Sequence, residues 1–160
     1  MREPVYYHDY LRLDQLLDSQ QPVSAGSGDE AHDELLFIIV HQAYELWFKQ
    51  ILHELGAVIR VFEDGVVRER EMGALLGHLD RIVEIQRLMI AQIDVLETMT
   101  PLDFLDFRDQ LIPASGFESL QFRLIENTLG VIPEQRVRIS EAHLSLRQIR
   151  LERFETSGFE

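Results

Sequence analysis

Two side chains in this sequence could do chemistry in apolar surroundings, the imidazole of His41 and the guanidinium of Arg108. On a helix, His41 has Phe37 at i−4, Tyr44 at i+3 and Glu45 at i+4 as neighbours. Three interpretations stay open: a core histidine bonded to Glu45 or to a carbonyl, an imidazole lining an aromatic cavity, or a metal ligand. The metal interpretation is the weakest, because di-metal bundles use Glu-x-x-His motifs and none occurs here.

Arg108 follows Phe104 and Phe107 at the predicted end of a short helix. An arginine in apolar company normally pairs with a carboxylate, which is either an internal acid or part of a ligand. Shortly after it, Ser115-Gly116 precedes a predicted helix, where free backbone N–H groups could bind an anion. An ordinary capping box, Ser115-x-x-Glu118, is the alternative explanation.

Composition limits what else this chain could be. Its 160 residues carry 15 Lys and Arg against 28 Asp and Glu, a formal charge of −13, so a nucleic-acid binder is not expected. The absence of cysteine excludes disulfides and thiolate sites and fits a reducing compartment. The longest apolar run, 35–40, is too short to span a membrane, and residues 1–4 do not resemble a signal peptide. We therefore expect a cytoplasmic protein without membrane partners.

Helical periodicity runs through the chain and strand alternation does not persist, which predicts an all-α fold. Two long antiparallel helices are expected at its centre, over about 29–62 and 67–98. The other predicted elements are a first helix ending near Gln20, a flexible loop over 22–28, a capping box at Ser27-x-x-Glu30, a short helix from Thr100-Pro101 through Arg108, a helix from Ser115 to about Leu129 and a last helix from Ser140.

The remaining histidines show no metal-ligand spacing, and no protein ligand to a metal is predicted. We expect them to be solvated or structural; they are His8, His32, His53, His78 and His143. The arginines near the end of the chain are expected to form an exposed face or a partner surface; they are Arg136, Arg138, Arg147, Arg150 and Arg153.

Three blocks of sequence carry a family resemblance. They are Tyr7-His-Asp-Tyr10-Leu11-Arg-Leu-Asp-Gln-Leu-Leu17 with Gln20-Gln21-Pro22; His32-Asp-Glu-Leu-Leu-Phe37-Ile38-Ile39-Val40-His41-Gln42-x-x-Glu45-Leu46-Trp47-Phe48-Lys49; and Phe104-x-x-Phe107-Arg108-Asp109-x-Leu111-x-Pro113-Ala-Ser115-Gly116-Phe117-Glu-Ser-Leu-Gln-Phe-Arg123-x-x-Glu126. In order and spacing these blocks resemble the tryptophan 2,3-dioxygenase family, over roughly residues 6–132.

The resemblance implies an all-α, homotetrameric enzyme that uses haem b and O₂ to convert L-tryptophan to N-formylkynurenine. It implies that His41 accepts a hydrogen bond from the indole N–H and that Arg108 binds the substrate carboxylate. The other implied substrate contacts are Phe37, Ile38, Ile39, Val40 and Phe104, with Tyr7, Tyr10 and Leu11 from a neighbouring subunit. Phe104, Ser115 and Gly116 are implied neighbours of the haem.

Members of this family continue for well over a hundred residues beyond position 160, and the histidine that ligates the haem iron lies in that part. The expectation is therefore a single all-α domain, 1–160, matching the N-terminal part of such an enzyme, with 1–28 exchanged between subunits. The alternatives are a non-catalytic module that binds indole or tryptophan without haem, and a purely structural helical oligomer.

Overall fold

The computed structural model describes residues 4–26, 28, 30–63, 65–132 and 135–136. Within these ranges the regular structure is entirely helical, as the periodicity predicted. The α-helices are α1 (Tyr7–Leu11), α2 (Leu13–Leu16), α3 (Glu34–Phe62), α4 (Glu69–Leu96), α5 (Pro101–Arg108) and α6 (Leu120–Thr128), with 3₁₀ turns at Ser24–Gly26, Asp109–Leu111 and Gly116–Glu118.

The core lies where α3, α4 and α6 pack together. Its buried members are Ile51, Leu55, Ile82, Ile85, Met89 and Ile125, with Tyr44, Trp47, Phe48 and Leu52 packed around them. The Tyr44 hydroxyl donates to the carbonyl oxygen of Met89 on α4, and burial raises the pKa of Tyr44. The two long helices therefore stabilise each other, and α6 packs against them.

Helix α3 begins at Glu34, about five residues later than predicted, and Glu30 is not helical. The reason is that Glu34 is fully buried and accepts hydrogen bonds from the backbone N–H groups of Val23 (2.7 Å) and Ser24 (2.9 Å). Burial alone would raise the pKa of Glu34, but these bonds and the Ser24 hydroxyl lower it. The expected flexible loop is instead partly a 3₁₀ turn with Ser24 buried. Ser27 of the predicted capping box lies outside the described residues.

The first helix is divided in two. Arg12 has φ 52° and ψ 46°, a left-handed conformation that separates α1 from α2, and α2 ends at Leu16 rather than near Gln20. Downstream, Gln20 donates to Gln42 (2.6 Å), and Gln42 donates to the Ser19 carbonyl (3.2 Å). These two bonds attach the segment after α2 to the first half of α3.

The caps of α5 and α6 explain where these shorter helices begin. The Thr100 hydroxyl accepts from the Asp103 N–H (3.3 Å), and Asp103 accepts from the Thr100 N–H (2.9 Å), which is the predicted start of α5. Helix α6 begins later than predicted, because Ser119 rather than Ser115 caps it, accepting from the Phe122 N–H at 3.1 Å. Gly130, with φ 75°, follows the end of α6, a left-handed position that glycine favours.

A buried carboxylate joins α3 to α4. Glu54 is 1% exposed and accepts hydrogen bonds from Gln50 (2.5 Å), His78 (2.5 Å) and Arg81 (2.9 Å). Burial alone would raise the pKa of Glu54, but these three bonds and the charge of Arg81 outweigh it and lower the pKa to about 2. His78, predicted to be solvated or structural, therefore has a structural contact.

We expect Glu54→Gln to lower the free energy of unfolding at neutral pH and to make that free energy vary less with pH in the acid range. The pKa of Glu54 is lower in the folded chain than in the unfolded chain. Its carboxylate therefore stabilises the fold fully at pH values above the unfolded pKa, near 4.5, and this contribution is lost as the pH falls from there through about 2. Urea unfolding at pH 6 and pH 3 measures both effects. Exposed Glu84, on α4, gives the control Glu84→Gln. An equal fall in stability between the two pH values for wild type and Glu54→Gln would contradict this role.

Near the end of the described chain, Arg136 donates from Nε and Nη2 to the Val131 carbonyl at 3.0 and 2.6 Å. The other arginines of the predicted basic face, the helix predicted from Ser140 and His143 lie outside the described residues. None of the helices described has the length and apolar character needed to cross a membrane.

Candidate functional site

The site is built on an aromatic cluster where α3 meets α5. Phe37 of α3 lies 5.7 Å from Phe104 and 5.5 Å from Phe107, measured between ring centroids, and the last two are 5.5 Å apart. Phe107 is completely buried, whereas Phe37 and Phe104 are half-buried. Phe107 therefore supports the other two rings, which remain partly open to a ligand.

His41 lies one helical turn after Phe37, with the two ring centroids 4.1 Å apart. Its Nδ1 is 2.7 Å from the Phe37 carbonyl oxygen, which can only accept, so Nδ1 carries the hydrogen. In the neutral ring Nε2 is then a hydrogen-bond acceptor. The sequence left two interpretations of His41 open, a hydrogen bond to a carbonyl oxygen and a position that lines a cavity. The structure shows both together.

The 3₁₀ turn Gly116–Glu118 faces the same imidazole. A Cβ added to Gly116 would lie 3.8 Å from His41 Nε2, so the glycine leaves room beside the acceptor nitrogen. Glu118 Oε2 accepts from the Ser115 N–H at 3.4 Å, which preserves half of the predicted capping box around this turn.

Arg108, the last residue of α5, is half-buried, and its Cζ lies 5.9 Å from the centroid of the Phe104 ring. In the part of the chain that the structure describes, its guanidinium forms no hydrogen bond or ion pair. The internal acid that the sequence offered as its partner is therefore not found there, and its donors remain available to a ligand.

These side chains line one cavity of about 680 Å³. Its lining is Phe37, Ile38, His41, Gln42, Glu45, Phe104, Arg108, Leu111, Ala114, Ser115, Gly116, Glu118, Ser119 and Leu120. The cavity is within the size range of small-molecule sites and combines aromatic walls with a few polar groups. An indole side chain and a charged backbone group would both find suitable partners in it.

The structure does not bring all the predicted site residues to this cavity. Val40 is buried and Ile39 is 47% exposed, and neither lines it, because successive helical residues point about 100° apart. Tyr7, Tyr10 and Leu11 are exposed on α1 and contribute nothing to the cavity within one chain. Their assignment to a neighbouring subunit's pocket stays a prediction.

Sequence reasoning missed one polar pair at the cavity edge. Gln121 of α6 donates to Glu45 twice, to the carboxylate (2.7 Å) and to the carbonyl oxygen (2.8 Å). In the sequence, the i+4 spacing suggested Glu45 only as a hydrogen-bond partner of His41. Gln121 lies 76 residues further along, so no local pattern could have paired the two.

Within the described ranges, no three acidic or histidine side chains come close enough together to hold a metal ion. Two features of the cavity lining are compatible with a flat apolar group such as haem. Gly116 adds no side chain beside His41, and Phe104 contributes an apolar ring to the same cavity lining. His41 is the one histidine in this described lining, so the lining offers no second imidazole that could hold an iron ion.

Comparison with known proteins identifies the relatives of this chain. The sequence model of the family described as tryptophan 2,3-dioxygenase matches residues 2–154. The tryptophan 2,3-dioxygenase of Bdellovibrio bacteriovorus is 64% identical over 128 residues, which are 80% of this chain and 36% of that protein. The enzymes named tryptophan 2,3-dioxygenase from Dictyostelium discoideum and Rattus norvegicus are 51% and 54% identical, over 87% and 86% of this chain and 35% and 34% of their own lengths. The chain thus spans about a third of the length of these relatives.

Proposed function

The chain belongs to the tryptophan 2,3-dioxygenase family, and we propose that its cavity binds L-tryptophan as part of a haem-dependent dioxygenase. The proposed reaction inserts both atoms of O₂ across the indole 2,3 bond and gives N-formylkynurenine. One observation carries the proposal: the acceptor nitrogen of His41 and the guanidinium of Arg108, which has no ion-pair partner among the described residues, line the same aromatic cavity. These groups match the N–H and the carboxylate at the two ends of tryptophan.

Each part of the substrate has a partner of suitable chemistry. The rings of Phe37 and Phe104 offer apolar faces to the indole, and aromatic stacking adds to the energy of area burial. His41 Nε2 would accept the indole N–H, while the Nδ1 bond to Phe37 fixes both the tautomer and the ring orientation. Arg108 would bind the carboxylate through two parallel charge-assisted hydrogen bonds.

Phe104, Ser115 and Gly116 are the residues of this chain that would lie against the haem. When bound, the haem would supply the oxygen chemistry. The protein's part in this region is to orient the indole through His41 and to exclude water with the aromatic walls.

A second candidate function is an indole-binding or tryptophan-binding module without haem. The observation that favours it is that the groups suited to the indole N–H and to the carboxylate, on His41 and Arg108, line the described cavity and need no haem to make these contacts. Such a module would use the same contacts to the indole and the carboxylate, but it would perform no oxidation.

Two titrations separate these candidates. Haem added to the complete purified protein should give a Soret band of a bound species, and L-tryptophan should bind to it in calorimetry. His41→Ala should weaken tryptophan binding and leave haem binding unchanged, because His41 is assigned to the indole. Tryptophan binding without a Soret band favours the haem-free module, and loss of haem in His41→Ala would assign His41 to the iron. A chain that binds neither compound would contradict both functions.

We also propose that the chain forms a homo-oligomer, a tetramer by analogy with the family, in the cytoplasm. Large side chains are exposed along the first described segment, including Tyr6 (67%), Tyr7 (75%) and Tyr10 (75%). Their exposure supports exchange of residues 1–28 between subunits, because exposed aromatic residues are typical of interfaces. Sedimentation velocity at micromolar concentration should show a species larger than a monomer, and a single monomeric boundary would contradict the proposal.

A further inference from the structure

Glu45 follows His41 by four residues on α3, a spacing that makes the two side chains neighbours on one face of the helix. Helical side chains lean toward the N-terminal end, which directs Glu45 toward the imidazole. Both residues line the cavity of about 680 Å³ and also a smaller one of about 380 Å³. Even so, no hydrogen bond or ion pair joins Glu45 to His41 in the described part of the chain.

The hydrogen bonds from Gln121 explain why Glu45 does not bind the imidazole. The side-chain amide of Gln121 donates to Glu45 Oε2 at 2.7 Å and to the Glu45 main-chain carbonyl oxygen at 2.8 Å. An amide NH₂ group has two hydrogens, so Gln121 uses its whole donor capacity on this one residue. Both side chains are half-buried, where such bonds are stronger than in water. The carboxylate is therefore engaged by α6.

The protonation state of His41 depends on the groups that its two nitrogens meet. Nδ1 donates to the Phe37 carbonyl oxygen, which leaves Nε2 of the neutral ring as an acceptor. A carboxylate that reached Nε2 would favour a hydrogen on that nitrogen too, because a nearby negative charge stabilises the imidazolium. The imidazolium keeps the bond to Phe37, but its Nε2 is a donor and cannot accept a hydrogen bond from an indole N–H.

The other charged groups around His41 do not favour the imidazolium in this way. Lys49 of α3 and Arg108 of α5 each share a cavity with His41, and their positive charges disfavour a second cation there. Glu118 is bonded within its own turn, to the Ser115 N–H at 3.4 Å. Glu45 is thus the acid whose contact with another element keeps it from His41.

We propose that Gln121 is a positioning residue: by binding Glu45 it keeps His41 neutral, with Nε2 able to accept the indole N–H. The effect on substrate rests on the proposed function. The protonation state of His41 in the free protein does not, so the two can fail separately.

The first test is ¹⁵N NMR of the complete protein, labelled at histidine, without haem and at neutral pH. The signals of His41 are identified by their loss in His41→Ala. Wild type should show a neutral ring with the hydrogen on Nδ1, and Gln121→Leu should show the imidazolium. Gln121→Lys, whose ammonium can still donate to Glu45, should keep the neutral ring. Gln86→Leu, at an exposed glutamine of α4 outside both cavity linings, is the matched control and should change nothing.

The second test is calorimetric titration of L-tryptophan and of its benzothiophene analogue, which has sulfur in place of the indole N–H. Gln121→Leu should weaken tryptophan binding roughly tenfold, the loss expected when one hydrogen bond cannot form. The analogue should bind wild type and variant about equally. Adding Glu45→Leu to Gln121→Leu should restore the neutral ring and the tryptophan affinity, because replacing both partners of a hydrogen bond by apolar groups is nearly neutral.

A neutral His41 in Gln121→Leu would overturn the inference, as would an imidazolium that Glu45→Leu does not remove. Equal losses for the two ligands would also overturn it, because they would give Gln121 a purely structural role. If Gln121→Leu does not fold, Gln121→Ser, which is too short to hold Glu45, takes its place in both tests. A wild-type protein that has a neutral His41 and binds no tryptophan would contradict the proposed function, while the NMR comparison would still decide the inference.

Discussion

Arg108→Lys is expected to raise the Kd for L-tryptophan roughly 30-fold, a loss of about 2 kcal/mol. Lysine keeps the charge but cannot make two parallel hydrogen bonds to a carboxylate, so the substitution isolates the guanidinium geometry. The loss lies at the low end of the range for a lost charge pair, because Arg108 is half-buried and solvent screens its charge. Calorimetric titration of the wild-type and variant chains measures the loss.

Tryptamine provides the matched control, because it has the indole and the ammonium but no carboxylate. Its binding should change little in Arg108→Lys. If both ligands lost affinity equally while the unfolding midpoint fell, Arg108 would be acting on the fold through an internal partner. That result would contradict its role as the carboxylate site.

Phe107→Ala is expected to destabilise the chain by about 3–5 kcal/mol, the usual cost of removing a buried phenylalanine. Phe107 is 0% exposed and touches the edges or faces of both Phe37 and Phe104. For a chain of this size the unfolding midpoint should fall by roughly 10 °C. Thermal unfolding followed by circular dichroism gives the value.

Leu105→Ala is the control on the same helix, since Leu105 is 61% exposed. It should change stability by about 0.5 kcal/mol or less. A similar loss in the two variants would mean that α5 as a whole, and not the buried ring, carries the stability. Phe107→Leu should recover part of the loss, because it refills most of the cavity.

The long helices could be predicted because their apolar periodicity continues over many turns. Val40, Ile51 and Leu55 of α3, and Leu75, Ile82 and Met89 of α4, are buried, as regular helical spacing requires. The start of α5 at Thr100-Pro101 could also be predicted, because the capping hydroxyl and the proline act within one helical turn.

The start of α3 could not be predicted from the residues close to it in sequence. It depends on the carboxylate of Glu34 reaching Val23 and Ser24, which lie ten or eleven residues earlier in the chain. The break at Arg12 also escaped prediction, because arginine has no particular preference for a left-handed conformation. The sequence could not show where α6 begins, because Ser115 and Ser119 each carry a hydroxyl that can cap a helix.

For the candidate site, spacing placed Phe37 and His41 on one helical face, and the structure shows their rings 4.1 Å apart. Spacing could not bring Arg108 or Gly116 to the same cavity, because this depends on how α5 and the following turn pack against α3. Only the resemblance of the three sequence blocks connected them. The same limit applies to Glu54, whose partners His78 and Arg81 lie on another helix.

The most direct test of the central claim, that the indole N–H of tryptophan binds His41 in this cavity, is ¹⁵N NMR of the imidazole. The free chain, labelled at histidine, should show His41 as the Nδ1–H tautomer, because Nδ1 donates to the Phe37 carbonyl. L-tryptophan should shift the Nε2 resonance as that nitrogen accepts a hydrogen bond. The benzothiophene analogue of tryptophan, with sulfur in place of the N–H, should not produce this shift. Equal shifts with both ligands, or no change at Nε2 with tryptophan bound, would contradict the account.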